Sequence, residues 1–239
     1  MTSRTSGFPT SGNGASSFHL WWVDAPAGDS VEVSITVEWE PEVDKLCFWA
    51  LQASFADSNG RRVGGAHLGL QWNPRFPRSR AANWGGYDAN GQVLRGTESR
   101  FPSAPRDRNT RDYPWEPGRE YRLRIVLAEP GWWSGQIAGP GEDFVEIRRL
   151  EAGGELLEAP VVWSEIFTRC DDRAVAACWR DPTVERAGSV WHPQSYLVNY
   201  QAIDRGGCSN TTVVPAAAGV VQITNSPRLV AQGEHVPVV

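Results

Sequence analysis

Three glutamates have neighbours that suit acid–base chemistry. Glu38 and Glu40 lie two residues apart in a segment of alternating apolar and polar residues, which places them about 7 Å apart on one strand face. Two carboxylates at that separation can hydrolyse a glycosidic bond with inversion, although a solvated strand face carries the same residues. Glu165 shares a strand face with Trp163. Its carboxyl group either has a raised pKa and acts as an acid, or pairs with an arginine.

A second set of residues suits ligand binding. His67, Gln71 and Asn73 alternate along one strand face and offer donors and acceptors, and Gly69 between them lets a ligand approach the backbone. Aromatic residues follow and could stack on a ring. An ordinary polar outer face is the alternative interpretation. The predicted ligand-binding residues are His67, Gln71, Asn73, Trp84, Tyr87, Trp115 and Trp133.

Metal-binding patterns are weak in this sequence. The four histidines are scattered, and there is neither an HExxH motif nor a pair of CxxC motifs. Asp88 and Asn90 could contribute to a calcium site, but Asp-x-Asn-Gly is first of all a turn signal. We therefore predict no metal and no cofactor, with calcium as the one alternative.

The composition is that of a globular protein and limits the class of partner. The chain has 239 residues, of which 41% are hydrophobic and 21% charged, and its net charge is -5. An acidic chain is a poor ligand for phosphate backbones, so we expect no nucleic-acid partner. No apolar run reaches the length of a membrane helix. A carbohydrate or another small molecule is the expected partner, and the oligomeric state is left open.

The N-terminus and the cysteines bear on the compartment. Residues 1–17 are rich in Ser, Thr and Gly and predict a flexible tail. No signal peptide is visible, so the sequence as it stands predicts a cytoplasmic protein, or an exported one if it was processed. Cys47 lies in an apolar strand and is expected to be a buried thiol. The states of Cys170, Cys178 and Cys208 are open, and a Cys170–Cys208 disulfide would favour export.

Period-two patterns predict an all-β fold. Residues 31–39 alternate strictly, and residues 46–55 are more continuously apolar, as in a central strand buried on both faces. About ten short strands separated by turn signals are typical of a two-sheet antiparallel β-sandwich. We expect one sandwich domain over residues 18–239, with a possible boundary near residue 169. Residues 96–112, rich in Arg, Asp and Pro, predict a long surface loop.

Three segments resemble an uncharacterised bacterial family with a concanavalin A-like lectin/glucanase sandwich. They are residues 64–73, 83–87 and 113–123, and the resemblance spans residues 18–168. It implies a jelly roll whose concave sheet face holds carbohydrate. The acidic Glu-x-Asp-x-x-Glu strand of the glucanases has no counterpart here, so the resemblance does not imply their activity.

The sequence thus favours a lectin-like module that binds carbohydrate by aromatic stacking, and it leaves the question of catalysis open. One alternative is a pocket enzyme, either a glycosidase or a cyclase of a hydrophobic metabolite. The other is a structural or interaction protein whose tryptophans all lie in the core.

Overall fold

The computed structural model describes residues 3–217 and 219–238, which form seventeen strands. The first nine are β1 (Ser16–Trp22), β2 (Ser30–Trp39), β3 (Cys47–Ala56), β4 (Arg62–Trp72), β5 (Arg80–Asp88), β6 (Arg95–Gly96), β7 (Thr110–Asp112), β8 (Glu120–Glu129) and β9 (Trp132–Ala138). The others are β10 (Val145–Glu151), β11 (Leu156–Ile166), β12 (Ala176–Arg186), β13 (Ser189–Trp191), β14 (Ser195–Tyr200), β15 (Thr212–Ala216), β16 (Gly219–Ile223) and β17 (His235–Pro237).

The strands form two antiparallel sheets. Sheet A has the order β17-β14-β1-β11-β3-β4-β5-β7. Sheet B has the order β15-β16-β12-β2-β8-β9-β10-β6, and β13 pairs with β12 outside that path. The expected all-β, two-sheet sandwich is therefore confirmed. Helix in the described residues is limited to two 3-10 turns, Pro77–Ser79 and Ile203–Arg205. None of the described residues forms a helix long and apolar enough to cross a membrane.

Alternation along the strands builds the core between the sheets. Val31, Val33, Ile35 and Val37 of β2 are all buried, as their period-two spacing predicts. Large rings fill the space between the sheets, and burying an indole or phenyl ring removes a large apolar area from water. The fully buried rings are Trp49, Phe55, Trp84, Trp115, Trp133, Trp179 and Tyr196.

The segment after residue 169 contributes strands to both sheets. β14 pairs with β1 in sheet A, and β12 pairs with β2 in sheet B. Strands from this segment thus lie beside strands from the first forty residues. Whether the chain divides near residue 169 stays a prediction.

The N-terminal segment differs from the flexible tail expected from its composition. Residues 1 and 2 lie outside the described residues, and β1 already begins at Ser16. Between them, Gly7 O accepts a hydrogen bond from Cys170 N at 2.8 Å, and Thr10 N donates to Gly206 O at 3.0 Å. These long-range backbone bonds replace the water that a free polar segment would bind.

The cysteines adopt the pairing considered from the sequence. Cys170 and Cys208 form a disulfide, and Cys47 and Cys178 are free and buried. Asn210 Nδ2 donates to Cys170 O at 2.8 Å. The disulfide therefore links the loop after β11 to the loop before β15.

Candidate active site

Sheet A turns one face away from the core, and the strand register shows which residues share it. The outer face, as we call it, carries Ser17, His19 and Trp21 of β1, Val161, Trp163 and Glu165 of β11, Phe48, Ala50 and Gln52 of β3, and His67, Gly69 and Gln71 of β4. Facing partners form rows across the sheet. One row runs Ser17–Glu165–Phe48–Gln71, the next His19–Trp163–Ala50–Gly69, and the third Trp21–Val161–Gln52–His67.

Aromatic rings cover the middle of the outer face. The ring centroids of Phe48 and Trp163 lie 4.9 Å apart, and those of His67 and Trp163 lie 5.7 Å apart. Trp163 shares its row with two small residues, Ala50 and Gly69. A Cβ atom on Gly69 would lie 1.9 Å from Trp49 O, so no larger residue fits there without a shift of the backbone. The outer face thus has an apolar floor of its own, separate from the main core.

Two histidines on this floor are held neutral. Burial lowers the pKa of His67 to about 4, although a hydrogen bond with the Asn83 side chain acts in the opposite direction. Burial also lowers the pKa of His19 to about 4. The His19 ring is nearly parallel to that of Trp21, with centroids 6.1 Å apart. Both imidazoles are therefore uncharged near neutral pH and serve as polar but neutral groups.

Glu165 is the carboxylate of the outer face beside this floor. Its Oε1 accepts a hydrogen bond from Asn13 Nδ2 at 3.0 Å and one from Ser17 Oγ at 3.4 Å. Burial raises the pKa of Glu165, and the two hydrogen bonds lower it by less. Among the described residues it has no arginine within ion-pair distance. The arginine pair is therefore not formed in the described residues, and the role of Glu165 as an acid stays a prediction.

An open cleft of about 390 Å³ adjoins this region. His19 lies on one wall, and Asn199, Gln201 and Arg228 line the others. Gln201 N donates to Ser17 O at 2.7 Å, so the cleft begins one strand away from Glu165. The cleft is thus a polar recess close to Glu165.

The predicted binding residues separate into two groups. His67 and Gln71 lie on the outer face, Tyr87 is 53% exposed at the end of β5, and Asn73 Nδ2 donates to Gln71 Oε1 at 3.0 Å.

The three predicted tryptophan platforms lie in the core instead. Trp84, Trp115 and Trp133 are fully buried, so none can stack on a ligand. Trp84 faces inward because it pairs with Leu68, and its ring packs on Gly135 of the opposite sheet. Trp133 stacks on Phe55 with centroids 4.5 Å apart.

The glutamate pair and the calcium ligands suggested by the sequence make structural contacts instead. Arg80 Nη2 lies 2.6 Å from Glu40 Oε1, and Arg180 Nη2 lies 3.6 Å from Glu38 Oε1. These glutamates belong to an ion-paired surface rather than to a catalytic pair. Asp88 Oδ1 accepts backbone hydrogen bonds from residues 90 and 92, both at 2.8 Å, as a turn requires. No cluster of three His, Cys, Asp or Glu side chains suited to a metal occurs among residues 3–217 and 219–238.

Sequence reasoning missed three residues of this site. Asn13 lies in the segment interpreted as a tail, and its partner Glu165 is 152 positions away. Gln52 accepts a hydrogen bond from Trp163 Nε1 at 3.0 Å across 111 positions. His19 alone had a local signal, because it alternates with buried Phe18 and Leu20 in an apolar segment.

No family model matches the chain, and no curated protein does. Among solved structures, the chain is similar to scytalido-glutamic peptidase with a peptide-based transition state analog. The identity is 10%, the match covers 87% of this chain and 97% of that one, and the TM-score is 0.50. It is also similar to SCP-B, an eqolisin-family peptidase in complex with the tripeptide Ala-Ile-His, with 10% identity, the same coverages and a TM-score of 0.47.

These findings correct the family resemblance drawn from the sequence. The solved structure that is similar to this chain at a TM-score of 0.50 is a glutamic peptidase and not a concanavalin A-like lectin. The prediction of a carbohydrate-binding module rested on that resemblance and on exposed tryptophans, so it is wrong on both grounds. The alternatives of a glycosidase or a cyclase are likewise not supported. At 10% identity the likeness itself shows the fold alone.

Proposed function

We propose that the chain is a peptide hydrolase that binds an extended peptide along the outer face of sheet A and uses Glu165 as its acid–base group. The observation that carries this proposal is the pairing of a partly buried carboxylate with a carboxamide, Glu165 with Asn13, beside an aromatic floor. The sandwich similar to this chain belongs to a glutamic peptidase with a peptide-based analog bound. That likeness supports the same class of reaction without assigning any residue.

The proposed reaction uses two groups. Ionised Glu165 accepts a proton from a water molecule while the water oxygen attacks the carbonyl carbon of the peptide. Asn13 Nδ2 carries two N–H groups, of which the Glu165 contact uses one; the other donates to the oxyanion that forms. Glu165 then returns the proton to the nitrogen of the leaving amine as the C–N bond breaks. The products are a carboxylic acid and an amine, and every proton is accounted for.

The floor and the cleft supply binding rather than chemistry. Trp21 is partly buried against the Phe48 and Trp163 cluster and offers apolar contact to peptide side chains. The neutral His19 and the cleft beyond it offer hydrogen bonds to the peptide backbone. Together they define a path across the strands of sheet A that passes Glu165.

The pKa values restrict the pH range in which this chemistry can work. Burial raises the pKa of Glu165, so the ionised base is available only above that raised value. The histidines remain neutral down to about pH 4. We therefore expect cleavage to increase as the pH rises through the Glu165 pKa.

Replacing Glu165 with glutamine tests the proposal. Glu165→Gln keeps the shape and the acceptor for Asn13 but removes the base, so cleavage should fall by about 100-fold or more. The assay is mass spectrometry of a peptide mixture incubated with the protein between pH 4 and pH 8. Glu151→Gln, an exposed glutamate on β10 of sheet B, is the matched control and should cleave like the wild type.

The fold of the variant can be checked independently. A raised folded-state pKa means that the contribution of Glu165 to stability is full below the unfolded pKa and is lost as the pH rises through the folded pKa. The free energy of unfolding of the Glu165→Gln variant at pH 7 should therefore be no lower than that of the wild type. An active Glu165→Gln variant would remove Glu165 from the mechanism.

A second candidate function, peptide binding without hydrolysis, is favoured by the centre of the outer face. Gln52 there faces Val161, and its Oε1 accepts a hydrogen bond from Trp163. The carboxamide at the centre thus has no carboxylate opposite it. A wild-type protein that retains peptides but leaves them uncut would establish this function in place of the first.

The disulfide favours an oxidising compartment for the protein, whether it hydrolyses peptides or only binds them. Disulfides persist in oxidising compartments and are rare in the cytosol. Cys170–Cys208 also anchors the loop that Gly7 contacts through its backbone. We therefore propose a location outside the reducing cytosol.

A further inference from the structure

The two sheets leave an opening on the side where β7 is the edge strand of sheet A and β6 is the edge strand of sheet B. Sheet A ends there at β7, and sheet B ends at β10 and β6. An open depression of about 570 Å³ lies at this opening, partly enclosed by the loop over residues 97–109. Five arginines line it: Arg95, Arg106, Arg108, Arg111 and Arg148.

Two of these arginines reach into the depression from opposite sheets. Arg111 belongs to β7 and is 8% exposed, while Arg148 belongs to β10 and is 2% exposed. Full burial is rare for an arginine without an acidic partner. The positions of these two side chains are thus fixed by the fold, unlike those of flexible arginines on the surface.

All the acceptors that these two guanidinium groups contact are neutral. Arg148 Nη2 donates to Asn109 Oδ1 at 2.7 Å, and Arg111 Nη1 donates to the carbonyl oxygens of Asp107 and Thr110. The Nε atoms of both arginines are buried and have no hydrogen-bond partner among the described residues. Neither side chain has a carboxylate within ion-pair distance in the described part of the chain.

The charges in the depression are strongly unbalanced. Glu98 and Asp107 are the acidic residues of its lining, against five arginines, so the local charge is positive in a chain of net charge -5. Burial, followed by the nearby charges of Arg111 and Arg108, lowers the pKa of Arg148 to about 10. A buried charge without a counter-charge is unfavourable, and an anion in the depression would relieve that cost.

A purely structural role explains only part of this arrangement. The Nη contacts hold the 97–109 loop against β7 and β10. They leave the two Nε donors unused, and they do not account for three further arginines around an open volume. An oxyanion would supply the missing counter-charge, because guanidinium groups bind phosphate oxygens through parallel N–H donors.

We propose that this depression, which we call the arginine site, binds a phosphate group, with Arg111 and Arg148 holding the phosphate and Arg95, Arg106 and Arg108 contacting the rest of an anionic ligand. The site lies at the β7–β10 edge, and its residues are distinct from those of the Glu165 region. The proposal does not depend on peptide hydrolysis, and either can fail without the other. The phosphate can be a free ion or a monoester, and the test separates these sources.

The test is isothermal titration at constant ionic strength with inorganic phosphate, phenyl phosphate, and acetate as the monoanionic comparison. We expect saturable binding of phosphate or phenyl phosphate and much weaker binding of acetate. Tighter binding of phenyl phosphate than of inorganic phosphate would identify a monoester as the ligand, and the reverse would identify the free ion.

Arg148→Met should weaken phosphate binding by about tenfold or more, since it removes charged hydrogen-bond donors. Without phosphate, the free energy of unfolding of this variant should be no lower than that of the wild type, because the substitution removes an unpaired buried charge. Arg108→Ala, at the exposed rim, gives a second test that does not disturb the buried pair, and it should also weaken binding. Arg186→Met, an exposed arginine of β12 outside this depression, is the matched control and should bind like the wild type.

Two results would overturn the arginine site. One is the absence of saturable binding of either phosphate compound by the wild type at millimolar concentration. The other is equal phosphate affinity in the wild type, Arg148→Met and Arg108→Ala, which would show that any binding occurs elsewhere.

Discussion

Lowering the pH from 7 to 4 is expected to reduce the free energy of unfolding by several kcal/mol. His19 and His67 each have a pKa of about 4 in the folded chain, because burial disfavours their charged forms. The unfolded chain takes up these protons near pH 6.5. The stability that each neutral histidine contributes is therefore full above pH 6.5 and is lost as the pH falls to 4. The loss is up to about 3 kcal/mol for each histidine.

Urea unfolding at intervals between pH 7 and pH 4 measures this effect. His67→Gln keeps a polar side chain that does not titrate, so the pH dependence should decrease by about half in this variant. His192→Gln replaces a histidine that lies outside the outer face and should leave the dependence unchanged. A wild-type stability that is constant from pH 7 to pH 4 would show that the two imidazoles are accessible to protons in the folded chain.

Replacing Trp133 with alanine is expected to lower the free energy of unfolding by about 3–5 kcal/mol. The Trp133 indole is fully buried, stacks on Phe55 and donates from Nε1 to Gly153 O at 3.3 Å. Its removal leaves a cavity between the two sheets that neighbouring side chains fill only in part. Trp39 is 48% exposed on β2, and Trp39→Ala should cost less than about 1 kcal/mol.

Chemical denaturation of the two variants checks this difference. A loss for Trp133→Ala as small as the loss of less than about 1 kcal/mol expected for Trp39→Ala would contradict the assignment of Trp133 to the core. The same result would reopen the possibility that Trp133 is a ligand platform. The contrast also tests the structural alternative drawn from the sequence, which expected every tryptophan to lie in the core.

Local periodicity predicted the fold because alternation depends on neighbouring residues alone. The pattern over residues 31–39 corresponds to β2, and the polar face through His67 and Gln71 faces away from the core as expected. Cys47 was likewise expected to be buried from its apolar neighbours and is.

Residue pairs distant in the sequence could not be predicted in this way. Trp84 has glycines on its C-terminal side, so its own segment does not reveal that it pairs with Leu68 and faces inward. The contact of Asn13 with Glu165 requires the sheet to bring together residues 152 positions apart. Arg111 lies on β7, the edge strand of sheet A, and Arg148 lies on β10, next to the edge strand β6 of sheet B. No local sequence pattern indicates that these strands lie close together.

We expect a peptide to bind on the outer face of sheet A next to Glu165. Hydrogen exchange of the Glu165→Gln variant, with and without an excess of unstructured peptides, tests it most directly. We expect peptide to slow exchange in β1, β3 and β11, which carry Glu165 and the aromatic floor. Slower exchange confined to sheet B, or no change with any peptide, would contradict the claim.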